Sequence, residues 1–429
     1  MVTLSWGSVA VIGSLPYIFA GVGSVHSPLN ALFESMSGFT TTGATVLAEI
    51  SLEKHGYAML MWRQLSQWLG GMGIVVLAVA ILPRLSVGGA QLMQAEAPGP
   101  SLEKITPRIA ETAQRLWGAY AGLTGVMVML LFAGHYLGWA PNIDLYQAFA
   151  HAFTTMPTGG FSPIGDSIAG FSPYVQWIMI PFMTIAGTNF VLVWFGVTGR
   201  FDRLFRDEEW KFYVTLLAGF SVLLFGILFF SPETSFHHWI DNLRHALFQV
   251  VSIVTTTGYV SANYDTWSPL AHFFLFLMMF VGGCAGSTGG SIKVIRWLVI
   301  MKSVVREIFT TVHPYSVRPL RQGKNILDEP AVRGIMVFVL IYLLIFTGGT
   351  GLIYLECSIM GPDLTLLETV GASASTLGNV GPAFHFAGPM NNYLNFPSLS
   401  KLTMILMMWM GRLEIITVFV LFSRAYWTS

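Results

Sequence analysis

Thr41-Thr42-Gly43-Ala44-Thr45, Pro157-Thr158-Gly159-Gly160-Phe161, Thr256-Thr257-Gly258-Tyr259-Val260 and Thr376-Leu377-Gly378-Asn379-Val380 are four versions of one short string. Aligned on Gly43, Gly159, Gly258 and Gly378, each closes a segment of mixed polarity: 28–43, 144–160, 240–258 and 363–381. Phe33, Phe149 and Phe248 stand ten residues before their glycines; the fourth copy has Glu368 there and is the most divergent. Asn30, Asp144, Asp241 and Asp363 sit near the segment starts, where a helix N-cap belongs. Beyond each glycine a second feature recurs: Gly70-Gly71-Met72-Gly73, Ala186-Gly187-Thr188-Asn189, the run Gly282–Gly290, and Gly411-Arg412. Two aligned features in four parallel copies mark an internal repeat.

The surrounding chain is a membrane protein. Of 429 residues, 54% are hydrophobic and 10% charged, against roughly 25% charged in soluble domains. A spanning helix needs about 20 apolar residues. Eight stretches qualify: 4–23, 57–82, 116–137, 174–199, 212–231, 268–299, 334–357 and 402–423. The glycine-ending segments fall between members of each pair and are too short and polar to span, so they read as re-entrant helices. No Lys or Arg precedes the first apolar run, which therefore reads as a spanning helix and not a cleaved leader. The fold expected is an all-α polytopic membrane protein of four helix–pore loop–helix repeats around one pore. Its units are 1–115, 116–211, 212–333 and 334–429.

Charge gives an orientation. Segments 83–115, 199–211 and 291–333, with Arg424, hold 17 of the 22 Lys and Arg residues. All follow the second helix of a pair, so they are expected in the cytoplasm. The basic connectors around Arg108, Arg206 and Arg318–Lys324 read either as docking surfaces for a soluble subunit or simply as solvated cytoplasmic charge. Cys284 and Cys357 are too few for a disulfide framework or a zinc site, and read as packing residues.

The repeated string suits cation chemistry. A dehydrated cation needs oxygen ligands, and rings of backbone carbonyls supply them without a fixed countercharge. Turning successive carbonyls toward an axis calls for a residue without Cβ. Four short helices would aim their partly negative C-terminal ends at the centre. The candidate filter is Thr41, Thr42, Gly43, Thr158, Gly159, Thr257, Gly258, Leu377, Gly378 and Asn379. K⁺ is expected at Thr42, Gly43, Thr158, Gly159, Thr257, Gly258, Leu377 and Gly378.

These strings, the four-copy layout and Gly282-Gly283-Cys284-Ala285-Gly286-Ser287-Thr288-Gly289-Gly290-Ser291 resemble the Trk/Ktr/HKT superfamily of potassium transporters. Thr40–Val46, Gly70-Gly71-Met72-Gly73, Ala95–Pro100 and Ile109–Thr112 are similar to its bacterial TrkH branch. That branch has an additional N-terminal helix pair, which this sequence does not show. The resemblance covers nearly the whole chain. It implies potassium selectivity, a homodimer in the bacterial inner membrane, an intramembrane gating loop, and a cytoplasmic ring of nucleotide-binding, TrkA-like regulatory subunits. K⁺ is then the transported ion. No organic cofactor and no nucleic-acid partner is expected; membrane lipids surround the chain.

The candidate gate is Gly282, Gly283, Ala285, Gly286, Ser287, Thr288, Gly289, Gly290 and Arg412. Small residues disfavour a helix there, and unwound backbone at membrane depth must line a polar cavity. The phosphate-loop alternative fails, because Lys293 is not directly after the second glycine and no strand precedes. A flexible kink is the remaining alternative. Arg412 lies in the apolar run Met404–Phe422 with Glu414 as the other charge. It faces either the pore or a pairing carboxylate such as Glu414. His237 and His238 read as surface residues, His151 and His245 as packed ones. No nucleophile elbow, HExxH or facing carboxylates argue for an enzyme. Two functional readings stay open: a potassium-selective conductor, and an ion-gradient-coupled (H⁺ or Na⁺) symporter of the same architecture. Inverted repeats would favour alternating access; here the charge pattern makes the copies parallel.

Overall fold

The computed structural model describes residues 2–76, 109–231, 236, 238–323, 325–413, 415 and 418. Expectations for Glu414, His237, Lys324, Arg424, Arg84–Arg108 and the Ala95–Pro100 motif fall outside these residues.

The described helices follow one rhythm, an outer helix, a short buried helix and a return. In the first copy these are α1 (Val2–Ala20), α2 (Pro28–Phe39) and α3 (Leu52–Val76). The second has α4 (Ile109–Tyr136), α5 (Leu145–Thr155), α6 (Pro173–Ala186) and α7 (Phe190–Val197). After a connecting α8 (Phe201–Arg206), the third has α9 (Glu208–Phe230), α10 (Trp239–Val254), α11 (Pro269–Met278) and α12 (Val294–Val312). The fourth has α13 (Glu329–Met360), α14 (Leu366–Gly378) and α15 (Ser398–Arg412). Outside the helices, Arg321–Gln322 pairs antiparallel with Asn325–Ile326.

Four described helices are long and apolar enough to cross a membrane: Thr3–Ala20, Ala113–Tyr136, Glu208–Phe230 and Glu329–Met360. All four are outer helices. The return helices depart from simple spans. In the second copy the chain bends by 114° between α6 and α7, where Gly187 ends α6 and the Asn189 side chain caps α7 by accepting the Val191 N–H at 2.8 Å. In the third, helix stops at Met278 and resumes at Val294. In the first, α3 runs unbroken through Gly70–Gly73, so that glycine cluster is not a break.

The short helices α2, α5, α10 and α14 are buried along most of their length. Their starts correct the sequence expectation. Only Asp144 is an N-cap, accepting the Gln147 N–H at 2.7 Å. The other cap positions are Ser27, His238 and Thr365, the last in a capping box with Glu368. Asn30 instead reaches back to the Ser24 carbonyl and accepts from Lys401. Asp241 pairs with Arg244 one turn on, at 2.7 Å. Asp363 lies before the Thr365 cap.

Candidate functional site: a ring of four glycines

All four short helices end the same way. Within three residues of each helix end a residue is left-handed: Thr41 (φ 52°), Thr158 (φ 56°), Thr256 (φ 58°) and Asn379 (φ 54°). Its N–H bonds the carbonyl three residues back, Gly38, Thr155, Ile253 and Thr376 respectively. The next N–H, from Thr42, Gly159, Thr257 and Val380, bonds five residues back, to Ser37, Thr154, Ser252 and Ser375. This is the Schellman closure, made four times. Threonine is β-branched and seldom left-handed, so three of these closures hold a conformation costing about 1–3 kcal/mol each.

One residue further on, each copy has a glycine at positive φ: Gly43 (85°), Gly160 (75°), Gly258 (77°) and Gly381 (105°). These four line one recess, together with Arg63, Ser162 and Tyr393. They also interlock. A Cβ on Gly43 would collide with the carbonyl oxygen of Gly159, and one on Gly160 with that of Thr257. One on Gly258 would strike the Val380 oxygen, and one on Gly381 would crowd the Thr42 oxygen. The contacts close into a cycle through all four copies. Four glycines and the four carbonyl oxygens preceding them thus form one ring.

The ring corrects the sequence alignment in two copies. Its second glycine is Gly160, with Gly159 supplying the preceding carbonyl. Its fourth is Gly381; Leu377 and Gly378 are the last residues of α14, and Asn379 takes the left-handed place of Thr41. The phenylalanine register shifts accordingly. Ten residues before the ring glycines stand Phe33, Ala150, Phe248 and Gly371, all buried, whereas Phe149 is substantially exposed. Sequence reasoning missed Gly160 and Gly381 because Gly159-Gly160 offers two choices and Thr376-Leu377-Gly378 mimics the motif inside a helix.

Behind the ring, Glu34 and Arg63 form a fully buried ion pair at 2.6 Å. Glu34 also accepts from the Val46 N–H at 2.9 Å and the Thr45 hydroxyl. Arg63 donates to the Ser162 carbonyl at 2.8 Å and covers the Phe161 ring. The pair therefore ties the segment after Gly43 to the segment after Gly160. A charge within the 57–82 span was the signal for it.

Against the short-helix ends lies the loop 279–293, between α11 and α12. Its backbone is sewn into the second copy: the Cys284 N–H reaches the Gly187 carbonyl, and the Thr288 N–H and hydroxyl the Ala186 carbonyl. Thr288 Oγ1 also lies 3.3 Å from Thr158 Oγ1. The Gly290 N–H donates to Thr256 Oγ1 at 2.6 Å, and a Cβ on Gly290 would press on the Gly378 carbonyl and Asn379. The loop thus touches the left-handed residues of the second, third and fourth copies. Buried Arg412 donates from Nη1 to the Thr288 carbonyl at 2.6 Å, and among the described residues its Nε and Nη2 have no hydrogen-bond partner. Glu209 Oε1 accepts the Ala285 N–H at 2.6 Å. Its neighbour Glu208 accepts from Lys302 of α12 and from the Gly323 N–H of the hairpin.

Ala186 to Gly187, Gly411 and Gly70 sit where helix ends approach closely: Cβ atoms on Gly70 and Gly411 would strike the Phe39 and Leu377 carbonyls. His151 and His245 are buried and bonded to Ser162 and Ser261. No group of three metal-ligating side chains occurs among the described residues.

Residues 1–428 match the family model TrkH, described as a cation transport protein. The chain belongs to the TrkH family. It is 42% identical over 430 residues to the Trk system potassium uptake protein TrkH of Halomonas elongata, covering 99% of this chain and 84% of that protein. The protein of the same name from Escherichia coli (strain K12) is 36% identical over 434 residues, covering 100% and 85%. The crystal structure of the potassium transporter TrkH from Vibrio parahaemolyticus superposes with a TM-score of 0.84 at 33% identity, covering 100% of this chain and 85% of that one. The family is one of transporters, not enzymes, and the all-α polytopic fold is shared.

Proposed function

We propose that this chain is the ion-conducting subunit of a bacterial potassium uptake system, passing K⁺ through the glycine ring. The interlocked cycle Gly43–Gly160–Gly258–Gly381, with its four adjoining carbonyl oxygens, carries the reading. Rings of carbonyl oxygen can replace an ion's water, and the relatives named above are potassium uptake proteins. The filter comprises Thr41, Thr42, Gly43, Thr158, Gly159, Gly160, Thr256, Thr257, Gly258, Asn379, Val380 and Gly381.

The loop Gly282–Gly290 is the gate. It fills the space next to the filter, and Arg412 adds a positive charge that repels cations in a low-dielectric passage. Opening moves the loop through α12. A soluble nucleotide-binding ring, docked on the basic connectors around Arg206 and Arg318–Arg321, could pull on α12 through the Glu208–Lys302 and Gly323 contacts. The protein works as a homodimer in the inner membrane, with its basic connectors in the cytoplasm.

Radioactive Rb⁺ and Na⁺ flux into liposomes holding the purified chain tests this. Rb⁺ uptake down its gradient, well above Na⁺ uptake, is the expected result. Uptake that requires an imposed H⁺ or Na⁺ gradient would establish the coupled symporter instead, and equal Rb⁺ and Na⁺ uptake would remove the filter assignment.

A further inference from the structure

The four copies of the ring are not braced alike. In the first, Thr42 Oγ1 lies 2.7 Å from Thr40 Oγ1; in the third, Thr257 Oγ1 lies 2.7 Å from Thr255 Oγ1. The fourth has Val380 at this place. The second has Pro157 and Gly159 at the two places, so the hydroxyl brace cannot form and Gly159 offers no side chain.

A side chain from elsewhere fills that space. Gln67, on α3 of the first copy and fully buried, donates from Nε2 to the Gly159 carbonyl at 2.7 Å. Its Oε1 accepts the Phe161 N–H at 3.1 Å. The carboxamide thus clips the backbone on both sides of Gly160. A Cβ added at Gly159 would collide with the Gln67 carboxamide, which would have to leave its place to admit it. Gln67 lies one helical turn after Arg63, which holds Ser162 and Phe161 of the same segment.

Two consecutive glycines give the second copy the loosest backbone of the four. Its carbonyl belongs to the ring, and a misplaced ligand weakens discrimination between ions of different size. We propose that Gln67 is a positioning residue for ion selectivity: it stands in for the side chain missing at Gly159 and fixes that copy's carbonyl at its place in the ring. This rests on the reading of the ring as the filter.

The test measures Rb⁺ and Na⁺ flux in liposomes for four proteins beside wild type: Gln67→Met, Gln67→Ala, Gly159→Val and Gln67→Ala/Gly159→Val. Gln67→Met keeps the shape and removes both hydrogen bonds. Its Rb⁺/Na⁺ flux ratio is expected to fall about tenfold, equivalent to about 1.4 kcal/mol of lost discrimination. Gly159→Val alone collides with Gln67 and should lose selectivity as well. The double variant recreates the valine of the fourth copy in the vacated space, and its ratio should recover to well above that of Gln67→Ala. A purely structural glutamine would not give that reciprocal rescue. A wild-type ratio in Gln67→Met, or a folded double variant no more selective than Gln67→Ala, overturns the proposal. If Gln67→Met does not fold, the comparison of Gln67→Ala with the double variant decides it. Gly258→Ser serves as the control. If it loses selectivity while the Gln67 variants keep theirs, only this inference fails; if it keeps selectivity, the filter reading fails first.

Discussion

Arg412 Nη1 and the Thr288 carbonyl oxygen are joined by a 2.6 Å hydrogen bond that links the end of α15 to the middle of the glycine-rich loop. The Thr288 hydroxyl in turn contacts Thr158 of the second copy and the Met156 and Ala186 carbonyls. One arginine thus bears on the residue through which the loop grips the end of a short helix.

Arg412→Ala should therefore release the loop and remove its positive charge together. Basal Rb⁺ flux without any soluble partner is expected to rise, by roughly ten- to a hundredfold if one charge-assisted hydrogen bond of roughly 1.5–3 kcal/mol holds the loop. Deleting several residues of Gly283–Gly290 should do the same. Wild-type basal flux in both, in folded protein, would place the gate elsewhere.

Glu209 offers a separate handle on that loop. It sits on α9 and holds the Ala285 N–H. Glu209→Ala should raise basal flux in the same assay without altering the Rb⁺/Na⁺ ratio, because the loop meets the short-helix ends through Thr288 and Gly290 and not through Ala285. A changed ratio would tie this part of the loop to selectivity.

The ring register predicts unequal effects for neighbouring glycines. Gly381→Ser and Gly160→Ser would put a side chain on a left-handed residue against a neighbouring carbonyl, and the Rb⁺/Na⁺ ratio should collapse toward one. Gly378 is helical, and its Cβ would approach the Met279 carbonyl at 3.1 Å. Gly378→Ala should therefore affect selectivity far less. Equal loss at Gly378 and Gly381 would restore the alignment drawn from sequence.

Removing one partner of a buried ion pair strands the other, at a cost of about 3–5 kcal/mol. Glu34→Ala should accordingly lower the thermal midpoint of the detergent-solubilised protein markedly. The double variant Glu34→Ala/Arg63→Met should recover part of the loss. A midpoint unchanged by Glu34→Ala would mean that Arg63 finds adequate partners without it.

Topology and docking can be read from the basic connectors. Cysteines at the exposed positions Glu49 and Asp166 should react with an impermeant reagent on intact cells, and one at the fully exposed Tyr315 should not. The native cysteines are both buried and give little background. Charge reversal at the exposed Arg318 and Arg321 should weaken co-purification with a soluble partner; undiminished binding would leave these charges only their topological role.

Much of this architecture is legible in the sequence, because membrane physics constrains composition so tightly. Apolar runs of spanning length, polar segments too short to span, and four parallel strings are one-dimensional signals. The family followed from the same strings. The run Gly282–Gly290 was visible because five glycines in nine residues disfavour a helix there.

What the tertiary structure alone decided is which residues meet. Gly378 and Gly381 look interchangeable as letters. The difference is that α14 continues through Gly378 and the left-handed turn falls on Asn379, so only Gly381 reaches the neighbouring Thr42 carbonyl. Gln67 and Gly159, or Glu34 and Arg63, meet across different elements of the chain, and no periodicity within one helix encodes those contacts. Local sequence sets where backbone turns can form; close packing between copies far apart in the chain selects which turn becomes part of the ring.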